Sequence, residues 1–354
     1  MKSMVDRHPR IFHIHLGDKG GAENFFVRLV QAFHEAGVEQ MALTRPNRVW
    51  HTQLSQSCAI ETGRFSSSHI KKFFGHRRVR SMVRRFEADI VMAWMAPAAR
   101  WVPSALPNVA TLVRLGDFPD RMEPLYRCQN IVGNTPEIID RCVALGWPKA
   151  NGHVVSNFVD PVDVTAIDRG AIGVTDDSFL IVALGRFVER KGFIHLLEAI
   201  RQRPETSLCL LGDGPLRLQF EAFIAENGFS DRVVMPGWDQ NPQRYIRAAD
   251  ALCCPSLEEP LGNVVLEGWA CGIPVIASDS EGPSWLIQDG VDGLLCKKGD
   301  GAALADQIHR LQAQVDAAKL VSAAGETLAK RYSKQTIVEQ YLALFRHIMS
   351  QRAV

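Results

Sequence analysis

Residues 251–277, ALCCPSLEEPLGNVVLEGWACGIPVIA, contain the pattern that decides the fold. The stretch begins with a short apolar run, Ala251 to Cys254, which predicts a buried strand. Pro260 and Gly262 then break the chain, and a helical pattern starts after them. A second apolar run, Pro274 to Ala277, predicts the next strand. The order of strand, loop, helix and strand indicates a βαβ unit of a parallel sheet.

The same rhythm extends along most of the chain. After the first apolar run, Phe26, Leu29 and Phe33 fall at helical spacing, and Gly37 marks a stop. The final segment, from about 333 to 350, has the same helical spacing of apolar residues. The other predicted strands are apolar runs at 11–16, 89–95, 110–115, 130–134, 180–184, 208–211 and 233–235.

The apolar periodicity lapses between Asp160 and Asp177, where we place the linker between two domains. We therefore expect an α/β protein with two doubly wound, Rossmann-like domains that face a central cleft. The predicted N-terminal domain spans 1–165, and the predicted C-terminal domain spans 166–332. The terminal helix, 333–354, is predicted to pack back on the N-terminal domain.

Composition narrows the class of protein. The 354 residues are 46% hydrophobic, enough for two cores, and the formal net charge of +1 gives no overall attraction to nucleic acid. Eight cysteines form no Cys-x-x-Cys pair, which favours buried thiols in a reducing compartment. No signal-peptide pattern and no run of 18 apolar residues occur. These features predict a cytoplasmic protein.

Two carboxylates, Glu259 and Glu267, stand eight positions apart across the Pro/Gly-broken turn. On one continuous helix they would lie about 12 Å apart along the axis, beyond the roughly 5–9.5 Å of a glycosidase pair. They are therefore not predicted to form a hydrolytic dyad. Instead, each is expected to bind a different part of one elongated ligand, and a nucleotide sugar has that length.

A basic loop, GRFVERKG at 185–192, follows the first predicted strand of the second domain. Arg186 and Lys191 are placed to neutralise a diphosphate, since a guanidinium and an ammonium both bind such oxygens well. The alternative is a solvated basic loop. The sequence has no Asp-x-Asp and no His-x-x-x-His or His-Glu-x-x-His motif, so no metal site is predicted.

The loop GDKGGAE at 17–23 opens the first predicted helix. Bare backbone amides at a helix start bind phosphate oxygens or a hydroxyl, and Gly20 and Gly21 are the candidates here. The alternative is a tight turn that uses glycine for its backbone freedom. The loop lacks the Walker and Gly-x-Gly-x-x-Gly patterns, so neither a nicotinamide nor a flavin cofactor is predicted.

Residues 70–86, IKKFFGHRRVRSMVRRF, hold seven Lys and Arg, no acid, and interleaved apolar residues. This pattern suits an anionic membrane surface, where each basic side chain contributes about 1 kcal/mol. It would hold a peripheral enzyme at the inner face of the cytoplasmic membrane. The alternatives are nucleic-acid contact and a solvated helix whose apolar side chains face the domain core.

With these motifs in order, the chain resembles the family 4 retaining glycosyltransferases of GT-B fold, particularly those that build lipopolysaccharide cores and surface glycans. The resemblance spans nearly the whole chain. Its most specific part is Pro255-Ser256 leading into Glu259-x7-Glu267 and on to Ala277. Supporting motifs are Gly20-Gly21-Ala22-Glu23, Asn157-Phe158-Val159-Asp160, Gly185-Arg186 with Lys191, and Asp289-Gly290 before Gly293-Leu294-Leu295.

The resemblance implies a role for each candidate residue. Arg186 and Lys191 would hold the donor diphosphate, and Glu259 would meet the donor sugar. Glu267 would bind the ribose hydroxyls. The amides of Gly262 and Asn263 would support the phosphates, and Gly20-Gly21 would close from the acceptor domain. Such enzymes keep the anomeric configuration, with the leaving phosphate taking the acceptor proton. The implied partners are a nucleotide-sugar donor and a saccharide or lipid-linked acceptor.

Two departures from the family pattern stand out. Many relatives place histidine in the loop after the strand at 89–95, where this chain has Met92 and Trp94. Relatives also carry glutamate in a Gly-Pro-x-Glu turn, where this chain has Trp285. Two alternative functions therefore stay open: a GT-B hydrolase or epimerase of nucleotide sugars, and a noncatalytic nucleotide-binding subunit.

Overall fold

A computed structural model describes residues 8–18, 20–65, 69–104, 106–175, 177–313 and 315–351, with only the backbone at 69–73. Lys19 of the first glycine loop and Asp176 of the predicted linker lie outside these residues. The chain forms two compact units. Unit 1 comprises residues 1–157 with 334–354, and unit 2 comprises residues 158–333. The boundaries expected from the sequence were 165/166 and 332/333.

Unit 1 is built on a seven-stranded parallel sheet with the strand order 3-2-1-4-5-6-7. The order reverses between the first and fourth strands, which are neighbours in the sheet. This reversal is the topological switch point, where ligands of open parallel sheets gather outside the carboxyl ends of the strands. The strands are β1 (Ile11–His15), β2 (Gln40–Thr44), β3 (Ala59–Thr62), β4 (Ile90–Trp94), β5 (Ala110–Leu115), β6 (Asn130–Gly133) and β7 (Gly152–Val154).

The helices of unit 1 cover this sheet with apolar side chains. The first helix buries Phe25, Phe26, Leu29, Val30 and Phe33. After it the chain turns at Gly37, whose φ of 77° suits glycine. The helices are α1 (Gly21–Glu35), α2 (His51–Leu54), α3 (His69–Arg85), α4 (Met95–Ala99), α5 (Pro136–Ala144) and, from the end of the chain, α13 (Lys334–Ser350).

The terminal helix α13 belongs to unit 1, although 176 residues of unit 2 precede it in the chain. Its Tyr341 and Phe345 pack against Phe33 of α1, with ring centroids 5.6 and 5.8 Å apart. Burying a side chain of this size stabilises a fold by about 1.5–3 kcal/mol. The apolar face predicted for this segment is therefore a core face of unit 1.

Unit 2 repeats the architecture with six parallel strands in the order 10-9-8-11-12-13. Its switch point lies between the eighth and eleventh strands, which are neighbours. The strands are β8 (Phe179–Leu184), β9 (Thr206–Leu211), β10 (Val233–Gly237), β11 (Ala251–Cys254), β12 (Val275–Ser278) and β13 (Leu294–Cys296). The helices are α6 (Phe193–Arg201), α7 (Arg217–Glu226), α8 (Gln243–Ile246), α9 (Asn263–Ala270), α10 (Glu281–Leu286), α11 (Gly301–Ala313) and α12 (Ala317–Arg331).

All nine apolar runs predicted as strands are strands in the structure, whereas β2, β3, β7 and β13 were not predicted. Three of the missed strands are the sheet edges, with only three or four residues each. Unlike the fully buried strands of four residues, β3 and β7 are partly exposed and contain polar residues, so they form no apolar run, and β13 has only three residues. The fourth, β2, begins with the buried polar residue Gln40, which interrupts the apolar signal.

Among the described residues, no helix combines the length and the apolar character needed to cross a lipid bilayer.

Candidate functional site

The switch point of unit 2 brings together two of the predicted site residues. Lys191 follows β8 and Glu259 follows the neighbouring strand β11. Their side chains form an ion pair, with Lys191 Nζ 2.5 Å from Glu259 Oε2. Both are largely buried, with 18% and 12% of the side-chain surface exposed. The sequence predicted each residue as a ligand contact but did not predict that they bind each other.

Further contacts fix the position of Glu259. Ser256 Oγ donates to its carboxylate over 3.0 Å, so Oε2 accepts from both a hydroxyl and an ammonium. Its backbone N–H donates to Glu281 Oε2 over 3.3 Å, and its carbonyl accepts from Gly282 N over 2.8 Å. Lys298 in turn pairs with Glu281 Oε1 at 3.1 Å. The loop after β11 is thus anchored to the start of α10.

A close backbone contact aligns the two loops that carry the ion pair. Gly192 has a φ of 63°, and a Cβ added there would lie 2.1 Å from the Pro255 carbonyl oxygen. Leu257 N donates to the Arg190 carbonyl over 2.8 Å. Only glycine permits both this backbone conformation and this approach. Lys191 therefore reaches Glu259 because its neighbour has no side chain.

The ion pair determines the protonation of Lys191. Burial alone would lower the pKa of the ammonium, but the charge of Glu259 and the hydrogen bond to it outweigh this effect, and the pKa is raised. Lys191 is thus a fixed positive charge, with two N–H bonds besides the one given to Glu259. Burial also raises the pKa of the adjacent Cys254 thiol to about 11, which keeps that thiol protonated.

The other predicted residues of unit 2 lie in the two chain segments that carry this pair. Arg186 is exposed in the loop after β8, where Gly185 N donates to the Leu211 carbonyl over 3.0 Å. Gly262 has a φ of 85° and precedes α9 without any side-chain cap. Asn263 begins that helix, and Glu267 lies half-buried in its second turn. Glu259 thus lies in the middle of the loop 255–262 rather than at its end, whereas Glu267 lies inside a helix, as the Pro/Gly break predicted.

The structure corrects the expected position of Met92 and Trp94. Neither lies in a loop, because both belong to β4, and both are almost fully buried. No loop separates β4 from α4, whose first residue, Met95, has an unusual φ of 62° for a residue with a side chain. Its sulfur lies 3.3 Å from Gly116 N.

Trp285 has a packing role that the sequence did not reveal. It lies in α10, and the Arg331 guanidinium lies 5.6 Å from its ring centroid. Its ring also meets Tyr332 edge-on, with centroids 5.9 Å apart. A carboxylate nevertheless occupies the start of α10, since Glu281 binds the backbone of Glu259 from there. The family pattern expects a glutamate at position 285, so it does not point to the carboxylate of Glu281.

The switch point of unit 1 has uncharged, aromatic chemistry. His15, the last residue of β1, stacks on Trp94 with ring centroids 5.9 Å apart and planes 11° apart. His13, two residues earlier, bonds Gln40 Oε1 over 3.0 Å and accepts from Trp94 Nε1 over 3.3 Å. Gly21 begins α1, the next helix after this strand, and Gly20, with a φ of 141°, precedes it. Sequence reasoning missed both histidines, because a histidine in an apolar run shows no motif.

Both histidines are held neutral. Burial lowers the pKa of His13 to about 4, although its hydrogen bond to Gln40 opposes the shift. Burial lowers the pKa of His15 to about 3, and the nearby His13, Arg48 and Arg114 lower it further. Arg114 is itself buried, with its guanidinium 5.5 Å from the ring of Trp94. It also donates to Asn157 Oδ1.

The basic segment forms the exposed face of α3. Val79, Met82, Val83 and Phe86 point into the core, as the solvated-helix alternative expected. Phe74 remains 64% exposed. Arg77, Arg78, Arg84 and Arg85 are exposed, and Arg85 pairs with Glu61 at 2.9 Å. The side chains of Ile70, Lys71, Lys72 and Phe73, which were part of the prediction, lie outside the described residues.

Eight free cysteines account for every cysteine of the chain, and seven of them are buried. In the part of the chain that the structure describes, no three His, Cys, Asp or Glu side chains lie together as a metal site would require.

Comparisons with known proteins give one consistent result. Residues 164–326 match the family model described as glycosyl transferases group 1. The chain is 40% identical over 344 residues to the lipopolysaccharide core biosynthesis glycosyltransferase LpsD of Rhizobium meliloti (strain 1021), covering 97% of this chain and 100% of that protein. It is 38% identical to LpsE of the same organism, over 95% of this chain and 98% of that protein.

The fold is also similar to that of a solved structure, Anabaena Alr3699/HepE in complex with UDP and glucose. The TM-score is 0.82 at 20% identity, with 96% of this chain and 100% of that chain covered. At this identity the likeness concerns the fold alone. It confirms the predicted GT-B fold class.

The contact between Gly192 and Pro255 generates a first prediction. We expect Gly192→Ala to lower the free energy of unfolding and to weaken nucleotide binding, because the new Cβ meets a backbone oxygen and displaces Lys191. Gly228→Ala is the matched control, since its φ of 70° is similar but nothing lies within 4 Å. Both substitutions should lower the free energy of unfolding by about 1–2 kcal/mol, because alanine is strained in the left-handed backbone conformation. Gly192→Ala should lower it by about 1–3 kcal/mol more, because of the steric clash. Equal losses in urea denaturation would refute the contact.

The buried histidines generate a second prediction. In the unfolded chain they titrate near pH 6.5, but in the folded state only near pH 4 and 3. Between these values the unfolded chain binds more protons, so stability falls as the pH falls. We expect a loss of about 1.4 kcal/mol per histidine between pH 7.5 and 5.5.

Urea denaturation at the two pH values measures this loss. The free energy of unfolding of the double variant His13→Gln/His15→Gln should depend less on pH than that of the wild type. Phe33→Leu, a core change against α13, should lower stability at both pH values but keep the wild-type pH dependence. An unchanged pH dependence in the double variant would contradict the assignment.

Proposed function

The chain belongs to the group 1 glycosyl transferases, and from this membership we propose that it moves a hexose from a nucleotide diphosphate sugar to a saccharide of the lipopolysaccharide core. That it is a glycosyltransferase follows from the family. The named activity of LpsD and LpsE supports the choice of acceptor, and the UDP and glucose bound by HepE support the choice of donor. The observation that carries the proposal is the Lys191–Glu259 pair at the switch point of unit 2.

The positive charge of this site suits a diphosphate. Lys191 is held protonated, with two N–H bonds available, and the exposed Arg186 stands in the same loop. The uncapped start of α9 after Gly262 adds backbone amides and the positive end of a helix dipole. These groups would stabilise the charge that develops on the departing diphosphate. We propose that they make a metal ion unnecessary.

The proposed transfer keeps the anomeric configuration. The bond between the anomeric carbon and the phosphate oxygen breaks, and the acceptor oxygen bonds that carbon from the same face. The departing phosphate oxygen takes the proton of the acceptor hydroxyl. Glu259, fixed by Ser256, Lys191 and its own backbone contacts, would hold the donor sugar rather than attack it. Glu267 in α9 would accept hydrogen bonds from the ribose hydroxyls.

We further propose that α3 docks the enzyme on an anionic membrane surface that carries the acceptor. Arg77, Arg78 and Arg84 are exposed on one helix, and Phe74 at 64% exposure offers an apolar contact. The buried Val79, Met82 and Val83 take no part, because they belong to the core. The binding would therefore be mainly electrostatic and would weaken with added salt.

The donor site is tested by a thermal-shift screen with UDP, GDP, ADP and CMP and their sugar conjugates, since a ligand that binds only the folded state raises stability. We expect a shift selective for one base. Glu267→Ala should lower the affinity for the selected nucleotide roughly 10- to 150-fold, because charged hydrogen bonds worth about 1.5–3 kcal/mol are lost. The control Glu226→Ala removes an exposed carboxylate from α7 and should change nothing.

The two alternative functions have distinct outcomes in the same assays. A hydrolase or epimerase would turn over the nucleotide sugar at full rate without acceptor. A noncatalytic subunit would bind nucleotide tightly and release no sugar under any condition. Unchanged nucleotide affinity in Glu267→Ala would count against the proposed donor site.

Membrane docking is tested by sedimentation with vesicles of phosphatidylcholine alone and with added phosphatidylglycerol. Charge reversal at Arg77, Arg78, Arg84 and Arg85 should abolish binding to the anionic vesicles, because each basic residue contributes about 1 kcal/mol there. The matched control reverses the exposed Arg201, Lys297, Lys319 and Lys330 of unit 2 and should leave binding intact. Equal loss in both variants would indicate a general charge effect and remove α3 as the docking surface.

A further inference from the structure

His15 stands at the switch point of unit 1, in a lateral row of side chains that the sheet aligns. The register pairs Trp94 of β4 with Arg114 of β5, and it places His15 of β1 beside Trp94. Side chains paired in a parallel sheet project from the same face. His15 is 1% exposed, enclosed by the rings of Trp94, Trp50 and Phe26.

Its hydrogen bond decides which ring nitrogen carries the proton. Gly17 N–H donates to His15 Nδ1 over 3.1 Å, so Nδ1 has no proton. The ring is neutral, because its pKa lies near 3. A neutral imidazole carries one proton, which must therefore be on Nε2.

This Nε2–H is a buried donor with no acceptor among the described residues. Such a group is destabilising until an acceptor reaches it, which is why unpaired buried donors need an explanation. His13, in the same strand, provides a contrast, since Gln40 and Trp94 contact both of its nitrogens. Burial in this sheet thus does not by itself leave a histidine unpaired.

A carboxylate borders the same space. A Cβ built on Gly17 would lie 1.7 Å from Glu23 Oε1 and 2.8 Å from His15 Cε1, so the missing side chain lets Glu23 approach the imidazole. Glu23 Oε2 also lies 3.0 Å from the corresponding position on Gly20. Glu23 is half-buried, whereas His15 is fully buried, so a ligand approaches from the side of Glu23.

A hydroxyl group fits this pair better than an ion does. It can accept a hydrogen bond from His15 Nε2 and donate one to the Glu23 carboxylate. An anion would be repelled by Glu23, and a cation would be disfavoured by the nearby charges of Arg48 and Arg114. We infer that His15 and Glu23 bind one hydroxyl of the acceptor saccharide, so that this pair selects the acceptor. The inference rests on the proposed function, because it takes unit 1 as the acceptor side.

The test uses lipopolysaccharide extracted from the source organism after deletion of this gene, which accumulates the acceptor if the proposed function holds. Transfer is measured with the sugar nucleotide selected by the thermal-shift screen. His15→Phe keeps an aromatic ring but loses the donor, and we expect the KM for lipopolysaccharide to rise about 2- to 13-fold. His15→Gln retains an N–H near the Nε2 position and should recover most of this loss. His15→Phe also loses the acceptor for Gly17 N–H, whereas the amide oxygen of Gln can accept, so the free energy of unfolding of both variants is measured beside the KM.

Two further measurements separate binding from structure. The affinity for nucleotide should not change in either variant, since His15 lies in unit 1 and the nucleotide site in unit 2. Glu23→Ala should also raise the KM. If both residues hold one hydroxyl, the KM of the double variant His15→Phe/Glu23→Ala should be only slightly higher than that of the weaker-binding single variant. The control Phe33→Leu changes a core contact between α1 and α13 and should leave the KM unchanged, whatever it does to stability.

The outcomes distinguish failure of the proposed function from failure of the inference about His15 and Glu23. If the wild type transfers no sugar to this lipopolysaccharide, the proposed function fails and this inference fails with it. If the wild type transfers sugar but His15→Phe keeps the wild-type KM, or His15→Gln and His15→Phe raise it equally, only the inference is overturned. In that case a bound water would satisfy Nε2–H.

Discussion

The position of the ion pair in unit 2 depends on one backbone contact, the approach of Gly192 to the Pro255 carbonyl. This contact joins the loops that follow β8 and β11, the two strands at the switch point. Because the loops are held together, a lysine and a glutamate 68 positions apart in the chain form a short, largely buried ion pair. Burying the two charges is costly, and the pair is tolerated because Ser256 and the ammonium both satisfy the carboxylate.

The same topology appears twice in this chain with different chemistry at the two switch points. In unit 2 the neighbouring strands lead into loops that carry the charged Lys191 and Glu259. In unit 1 they end in His15 and Trp94, which are neutral and aromatic and suit the polar hydroxyls and apolar faces of a saccharide. Parallel strand order fixes where a ligand gathers, and the residues at the carboxyl ends fix which ligand it is.

The interior strands and the two Rossmann-like sheets were predictable, because long apolar runs separated by helical patterns leave few other arrangements. The edge strands β3 and β7 were not, since partly exposed strands with polar residues form no apolar run, and β13 has only three residues. Residues with a motif, such as Glu259 and Lys191, were found from the sequence. Glu281 and His15 were not, because each acquires its role from a partner elsewhere in the chain, Glu259 N in one case and Gly17 with Glu23 in the other.

The sequence by itself determined the fold class, the loop that carries Glu259 and the helix that carries Glu267, because Pro, Gly and apolar spacing act through local backbone geometry. It also indicated the family through motifs that remain contiguous in the chain. Only the tertiary structure decided that Lys191 pairs with Glu259 and that Met92 and Trp94 lie within β4 rather than in a loop. It also decided that His15 Nε2 has no hydrogen-bond partner among the described residues. These features depend on which distant side chains meet in the folded core, and burial then sets their charge and hydrogen bonding in ways that no local pattern records.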